Sequence, residues 1–118
     1  MYIKVFPHGK GRGEKAVQYL VNTTYANRKD NPPEILRGDP EMTTELINSL
    51  PFTWKYTSGV LSWSSEDTVS QDNEEKLMGD FENVAFAGFD KGQYSILWVR
   101  HKHANHHELH FIIPRVEL

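Results

Sequence analysis

Along this chain the spacing of hydrophobic residues switches repeatedly between the period of a strand and that of a helix, and each switch marks an element. Tyr2 to Phe6 reads as a first strand. From Glu14 to about Asn22, Val17, Leu20 and Val21 fall on one stripe, which predicts a helix with that stripe buried. A polar, turn-rich segment follows from Thr23 to Pro33. Asp39-Pro40, a capping side chain before a proline suited to the first helical position, starts a second helix that buries Leu46, Ile47 and Leu50 and stops at Pro51. Lys55 to Ser64 reads as a central strand in which Gly59 marks a bulge or a close backbone approach. After an acidic loop, a third helix over about Asn73 to Ala87 places Leu77, Phe81, Val84 and Ala85 at helical spacing, the default core set. Gly88 and Gly92 punctuate the turn into a closing hairpin of Gln93 to His101 and Glu108 to Pro114. With a weak strand around Ile35, the pattern predicts an α+β fold: two layers, a largely antiparallel sheet with helices packed on one side.

Composition narrows the class. At 118 residues, 38% hydrophobic and 12% aromatic, the sequence describes a single globular domain over residues 1–118. No run reaches the length of a membrane span, and the first residues resemble a strand more than a signal peptide. The absence of cysteine excludes disulfides, thiolate metal sites and thiol catalysis, and fits a cytoplasmic protein. The net charge of -3 argues against a polyanion partner until it is divided along the chain. Residues 1–29 carry six basic groups and one acidic group, residues 30–90 three basic and thirteen acidic, and residues 91–118 four basic and two acidic. Two basic ends brought together by folding would attract phosphate locally whatever the net charge; ordinary solvated charge is the alternative. The segment Pro7-His8-Gly9-Lys10-Gly11-Arg12-Gly13 is either a basic turn able to approach a phosphate backbone or a simple loop. It lacks the spacing of a nucleotide-binding fingerprint.

The candidate chemistry lies in the closing hairpin. Five of the six histidines fall within residues 101–110. With period two, Glu108, His110 and Ile112 share one strand face, whereas His107, Leu109, Phe111 and Ile113 share the other. Antiparallel pairing returns His101 beside Glu108 and His110, so three metal ligands meet and leave open coordination positions. Charge inside an apolar strand is costly unless it is paired or metal-bound, which favours a metal over a solvated turn. His103, His106 and His107 read as loop or back-face residues, any one of which could substitute as a ligand. Tyr19 projects about 160° from the buried stripe of its helix and has no duty in the core.

Several segments together resemble the mobilization relaxases of small colicin-type plasmids. They are Ile3-Lys4-Val5-Phe6 with its basic glycine loop, Tyr19-Leu20, the stretch from Pro51 to Ser62, Gln93 to Val99, and Glu108-Leu109-His110-Phe111-Ile112-Ile113-Pro114. The resemblance runs end to end and implies the His-hydrophobe-His endonuclease fold. It also implies an enzyme of plasmid mobilization and conjugation, which nicks one strand of single-stranded DNA at a transfer origin and keeps the 5′ phosphate on a tyrosine. On that resemblance Tyr19 matches the nucleophile, and His101, Glu108 and His110 match the His-Glu-Asn metal signature, with His110 standing where relatives have Asn. The extra imidazole is expected to strengthen metal binding. Family members continue well beyond the final hairpin, so the expectation is a minimal catalytic fragment or a short relative.

The residues accommodate that chemistry. A free phenol has a pKa of about 10 and needs a polarised phosphate or a base to attack at neutral pH. A divalent cation, manganese or magnesium foremost and zinc or nickel as alternatives, would polarise the phosphate. Lys10, Arg12 and Lys55 are candidate phosphate contacts. Trp54 and Tyr56 are candidate stacking surfaces for bases, and Trp63 is either a third or a core residue. Expected partners are single-stranded plasmid DNA at a transfer origin and accessory mobilization proteins, with no membrane. Two rival classes stay open: a non-catalytic nucleic-acid-binding module of the same fold, and a hydrolytic metallonuclease that leaves no covalent adduct.

Overall fold

The elements of the computed structural model are β1 (Tyr2–Val5), α1 (Gly13–Val21), β2 (Glu34–Arg37), α2 (Pro40–Ser49), β3 (Tyr56–Trp63), α3 (Gln71–Ala85), β4 (Leu97–His103) and β5 (His106–Pro114). The structure describes residues 1–115 except 8, 24–27, 29, 30, 52, 65, 66, 104 and 105. Parts of the expected loop at 23–33, of the acidic loop and of the hairpin turn therefore lie outside the described residues. The strands form one sheet in the order β1-β3-β5-β4-β2, with every neighbouring pair antiparallel. The expected weak strand around Ile35 is β2, at one edge.

Local signals explain most element ends. Asp39 caps α2 by accepting from the backbone N–H groups of Glu41 and Met42, with Pro40 at the first helical position. Ser70 caps α3 through a hydrogen bond from Asn73 N, so the helix starts two residues before the expected position. The last hairpin is shorter on its first arm than its sequence suggests. Lys91–Gln93 form a 3-10 turn, and ladder pairing begins at Leu97.

An α+β fold with an antiparallel sheet is as expected, but the helices do not share one side. Val17 and Leu20 of α1 and Ile47 of α2 pack with Leu97, Val99 and Ile112. Met78 of α3 packs with Leu61, Trp63, Ile96, Trp98, Leu109 and Phe111, which alternate onto the opposite face. The reason is legible in β4 and β5, whose apolar residues occupy both alternating sets: an antiparallel strand can leave one face in water, but one apolar on both faces needs cover on both. Within α3 the buried positions are Glu74, Met78 and Glu82, with Leu77 and Phe81 partly buried. Val84, expected in the core, is 81% exposed.

Gly59 resolves to a close approach, because the ladders on both of its sides run without interruption. A Cβ there would fall 2.5 Å from the Phe111 ring and 2.6 Å from the Lys4 carbonyl oxygen. Gly13 does similar work between helices, where a Cβ would lie 2.9 Å from the Thr44 carbonyl oxygen. That closeness seats α1 tightly on α2 and fixes how α1 crosses the sheet.

Candidate active site

β4 and β5 pair with His101 opposite Glu108 and Val99 opposite His110. Alternation then brings His101, Glu108 and His110 onto the α1–α2 face, the meeting predicted from the hairpin. One ligand atom from each lies within 4.8 Å of the other two. The imidazole centroids of His101 and His110 are 4.4 Å apart, and His110 Nε2 lies 3.1 Å from Glu108 Oε1. The group is sheltered on one side only: His101 is buried, while the side chains of His110 and Glu108 keep 13% and 24% of their surface exposed. Two nitrogens and a carboxylate oxygen in this span, with an open side, fit a divalent cation that still has room for substrate.

His101 is prepared for that role by α1. Its Nε2 lies 2.7 Å from the Leu20 carbonyl oxygen. A carbonyl only accepts, so Nε2 carries the proton and Nδ1 keeps the lone pair. Burial pushes the imidazole pKa down to about 4; the Leu20 hydrogen bond opposes this, and the charges of His110 and Arg28 add to it. Near neutrality the ring is therefore uncharged, the form that binds metal.

The same carbonyl ties β4, which carries His101, to the helix of Tyr19. Val17 and Leu20 anchor α1 in the core, and Tyr19 is left 58% exposed. It lines a cavity of about 160 Å³ together with His101, Glu108, His110 and Arg28. Tyr19 and His110 also line a larger cavity of about 660 Å³, with Phe6, Lys10, Arg12, Lys15 and Tyr56 on its walls. Tyr19 and His110 line both, so the two cavities adjoin as a cleft, with Lys10, Arg12 and Lys15 around the larger part and Arg28 and Lys102 beside the histidine group in the smaller.

Strand-like pairing holds the glycine loop on this cleft. Gly9 N donates to Tyr56 O and Lys55 N to Gly9 O, each at 2.8 Å. The Tyr56 ring packs directly on Gly9, where a Cβ would fall 1.9 Å from ring carbon Cζ. Gly11 turns the chain at φ 84°, a conformation that suits glycine. Lys10 Nζ sits 4.4 Å from the Trp54 ring centroid. Arg12 reaches the cleft while paired to Glu14 at 2.8 Å, and Glu14 also accepts from Asn48.

Not every expected residue arrives. Lys55 and Trp54 line neither cavity: the Lys55 backbone holds Gly9, and the Trp54 ring meets the cleft only through Lys10. Trp63 is buried edge-on to His107, a core residue. His107 faces α3 and binds Glu74 Oε2 at 2.6 Å, which removes it as a ligand for the cleft. The side chain of His103 lies outside the described residues. Conversely, Lys15 and Arg28 line the cleft without having been singled out. Lys15 precedes Tyr19 by one helical turn and was readable from that spacing. Arg28 sits in the polar 23–33 segment and carried no periodic signal.

Over all 118 residues the chain is 42% identical to cryptic plasmid protein C of Neisseria gonorrhoeae and 42% identical to DNA relaxase MbeA of Escherichia coli. It spans 56% of the length of the first and 22% of the second, so both relatives are considerably longer. No family model matches the chain, and neither does any solved structure. The similarity bears out the resemblance to plasmid mobilization relaxases.

Proposed function

We propose that this chain carries the catalytic unit of a plasmid mobilization relaxase, nicking single-stranded DNA at a transfer origin by tyrosine transesterification. The observation that carries the reading is one cavity lined by both Tyr19 and the His101, Glu108 and His110 group. A nucleophile and a cation site serve one phosphodiester only when they face the same space. In this reading Tyr19 Oη bonds to the scissile phosphorus as the P–O3′ bond breaks. The phenolic proton is lost, the departing 3′ oxygen gains one, and the 5′ phosphate stays esterified to Tyr19. One phosphodiester replaces another, so a strand with a free 3′ hydroxyl can reverse the step.

His101, Glu108 and His110 would hold the divalent cation, manganese or magnesium foremost, with zinc or nickel as alternatives. When bound, it supplies Lewis-acid polarisation of the scissile phosphate. Leu20 O keeps His101 in its metal-binding tautomer and ties that strand to the turn of α1 carrying Tyr19. Lys10, Arg12 and Lys15 set a positive wall for the DNA backbone, and Trp54 and Tyr56 offer faces on which unpaired bases stack, each worth about 1–3 kcal/mol where contact is full. Plasmid DNA is the expected partner, together with accessory mobilization proteins, and the cytoplasm the expected place of action. Among the described residues no helix is long and apolar enough to cross a membrane.

Incubation with manganese and single-stranded transfer-origin DNA should give a DNA-linked protein band on a denaturing gel, and a second strand ending in a free 3′ hydroxyl should dissolve it with strand exchange. Cleavage that leaves no linked band would replace this reading with hydrolysis by activated water. Binding without cleavage or adduct, in protein that has its metal, would replace it with a non-catalytic binding module.

A further inference from the structure

The guanidinium of Arg28 sits among the candidate reacting groups rather than along the groove that leads to them. Its Cζ lies 5.4 Å from the Tyr19 ring centroid. Nη1 donates to the Asn22 carbonyl oxygen at 2.9 Å, at the C-cap of α1, which pins the side chain to the helix that presents the tyrosine. It also lines the small cavity with Tyr19, His101, Glu108 and His110. The other cations are placed differently. Lys10, Arg12 and Lys15 line the larger cavity; Lys10 rests against Trp54, and Arg12 is paired with Glu14. Lys102 does reach the small cavity, but from an exposed position on β4, next to His101 in the chain and alternating away from it.

We propose that Arg28 is a catalytic residue that grips the non-bridging oxygens of the scissile phosphate and of the phosphotyrosine product. A phosphoryl group being transferred spreads negative charge over its equatorial oxygens, and a planar guanidinium meets two of them with parallel hydrogen bonds. Lysine, a compact point charge on a flexible stem, reproduces the charge and not the fork. The anchor on Asn22 O moves Arg28 and Tyr19 as one unit, so the cation that receives the phosphate keeps its register with the oxygen that attacks it. This assignment rests on the proposed relaxase chemistry for its step and on phosphoryl recognition for its test.

Phenyl phosphate, a small analogue of phosphotyrosine, is the probe. Calorimetric titration with magnesium present is expected to show binding by the wild-type chain, a loss of about tenfold or more in Arg28→Met, and partial recovery in Arg28→Lys. Methionine keeps an unbranched stem over the tyrosine ring, so the comparison survives if Arg28→Ala fails to fold. Lys76→Ala on α3, on the other face of the sheet, should change nothing. Wild-type affinity in Arg28→Met, or no binding of phenyl phosphate by the wild-type chain at millimolar concentration, overturns the assignment. Arg28-dependent phosphate binding in a chain that forms no DNA adduct would leave Arg28 in place and remove the relaxase reading. A Tyr19–DNA adduct with Arg28-independent phosphate binding would do the reverse.

Discussion

Two of the three histidines of β5, His107 and His110, lie three residues apart and meet opposite fates, and the two faces of the sheet differ in the same way. His107 faces α3, where Glu74 accepts from Arg100 through both carboxylate oxygens, at 2.8 and 2.5 Å, and contacts His107 at 2.6 Å. About two helical turns further on, Glu82 accepts from Arg37, Tyr94 and Trp98. That face is a closed polar network under an aromatic core. His110 faces α1, where it meets His101 and Glu108 at the mouth of an open cleft. Both faces put charge inside an apolar sheet, but one covers it with partners and the other leaves a side for something to bind. Among the described residues no buried side-chain polar atom lacks a hydrogen-bond partner. The His107 and His110 side chains are equally sheltered, at 14% and 13% exposed, so what separates the faces is the carboxylate beside each: Glu74, 3% exposed and held by Arg100, against Glu108, 24% exposed.

The largest way to break this contrast is to open the closed network. Glu74→Ala removes the partner of a buried arginine and should cost about 3–5 kcal/mol in urea unfolding. A loss below about 1 kcal/mol would mean that the network is ornamental and that the faces do not differ as described. On the cleft side, a divalent cation at a hundredfold excess over its Kd should add about 2.7 kcal/mol of stability by mass action. His110→Ala should erase that gain in thermal melts, whereas the same shift surviving in His101→Ala/His110→Ala would move the site elsewhere.

A smaller effect sharpens the cleft side through pH. His101 stays neutral in the folded chain down to about 4, whereas an unfolded imidazole takes up its proton near 6.5. Between those values the unfolded state binds more protons, so stability rises with pH and is lost as pH falls, by up to about 1.4 kcal/mol per unit. Glu74 steepens the loss further into acid. Burial works to raise its pKa, but the hydrogen bonds from Arg100 and His107 prevail and hold it below its ordinary value. Metal-free His101→Asn should lose the slope between about 4 and 6.5, and a slope that persists there would assign it to another group. The smallest effect belongs to Val84→Lys, expected to stay within about 0.5 kcal/mol because the side chain faces solvent. A large loss would restore Val84 to the core and displace the carboxylate stripe.

Much of this arrangement was legible from residue order. The Asp39-Pro40 start of α2, the buried stripe of α1 and the β4–β5 register all rest on local chemistry, and the register alone brings His101, Glu108 and His110 together. What escaped reading depends on partners distant in sequence. Glu74 and Glu82 look like surface carboxylates until Arg100 and Arg37 are placed beside them, and counting hydrophobic residues on α3 therefore chose Val84 in their stead. The split of helices between two faces was available in β4 and β5, which are apolar on both sides, but no local signal assigns a given helix to a face. Arg28 escaped for a similar reason: nothing in a polar loop says that its side chain returns to the end of α1.

The claim that joins these observations is that Tyr19 works on the phosphate held at the histidine cluster. Its most direct measurement is peptide mass mapping of the DNA-linked protein formed with manganese and single-stranded transfer-origin DNA, in wild type and in Tyr19→Phe. The account predicts a nucleotide mass on the peptide containing Tyr19, absent from Tyr19→Phe although that variant still binds metal. A wild-type adduct mapped to any other residue, or an adduct that persists undiminished in Tyr19→Phe, would contradict it.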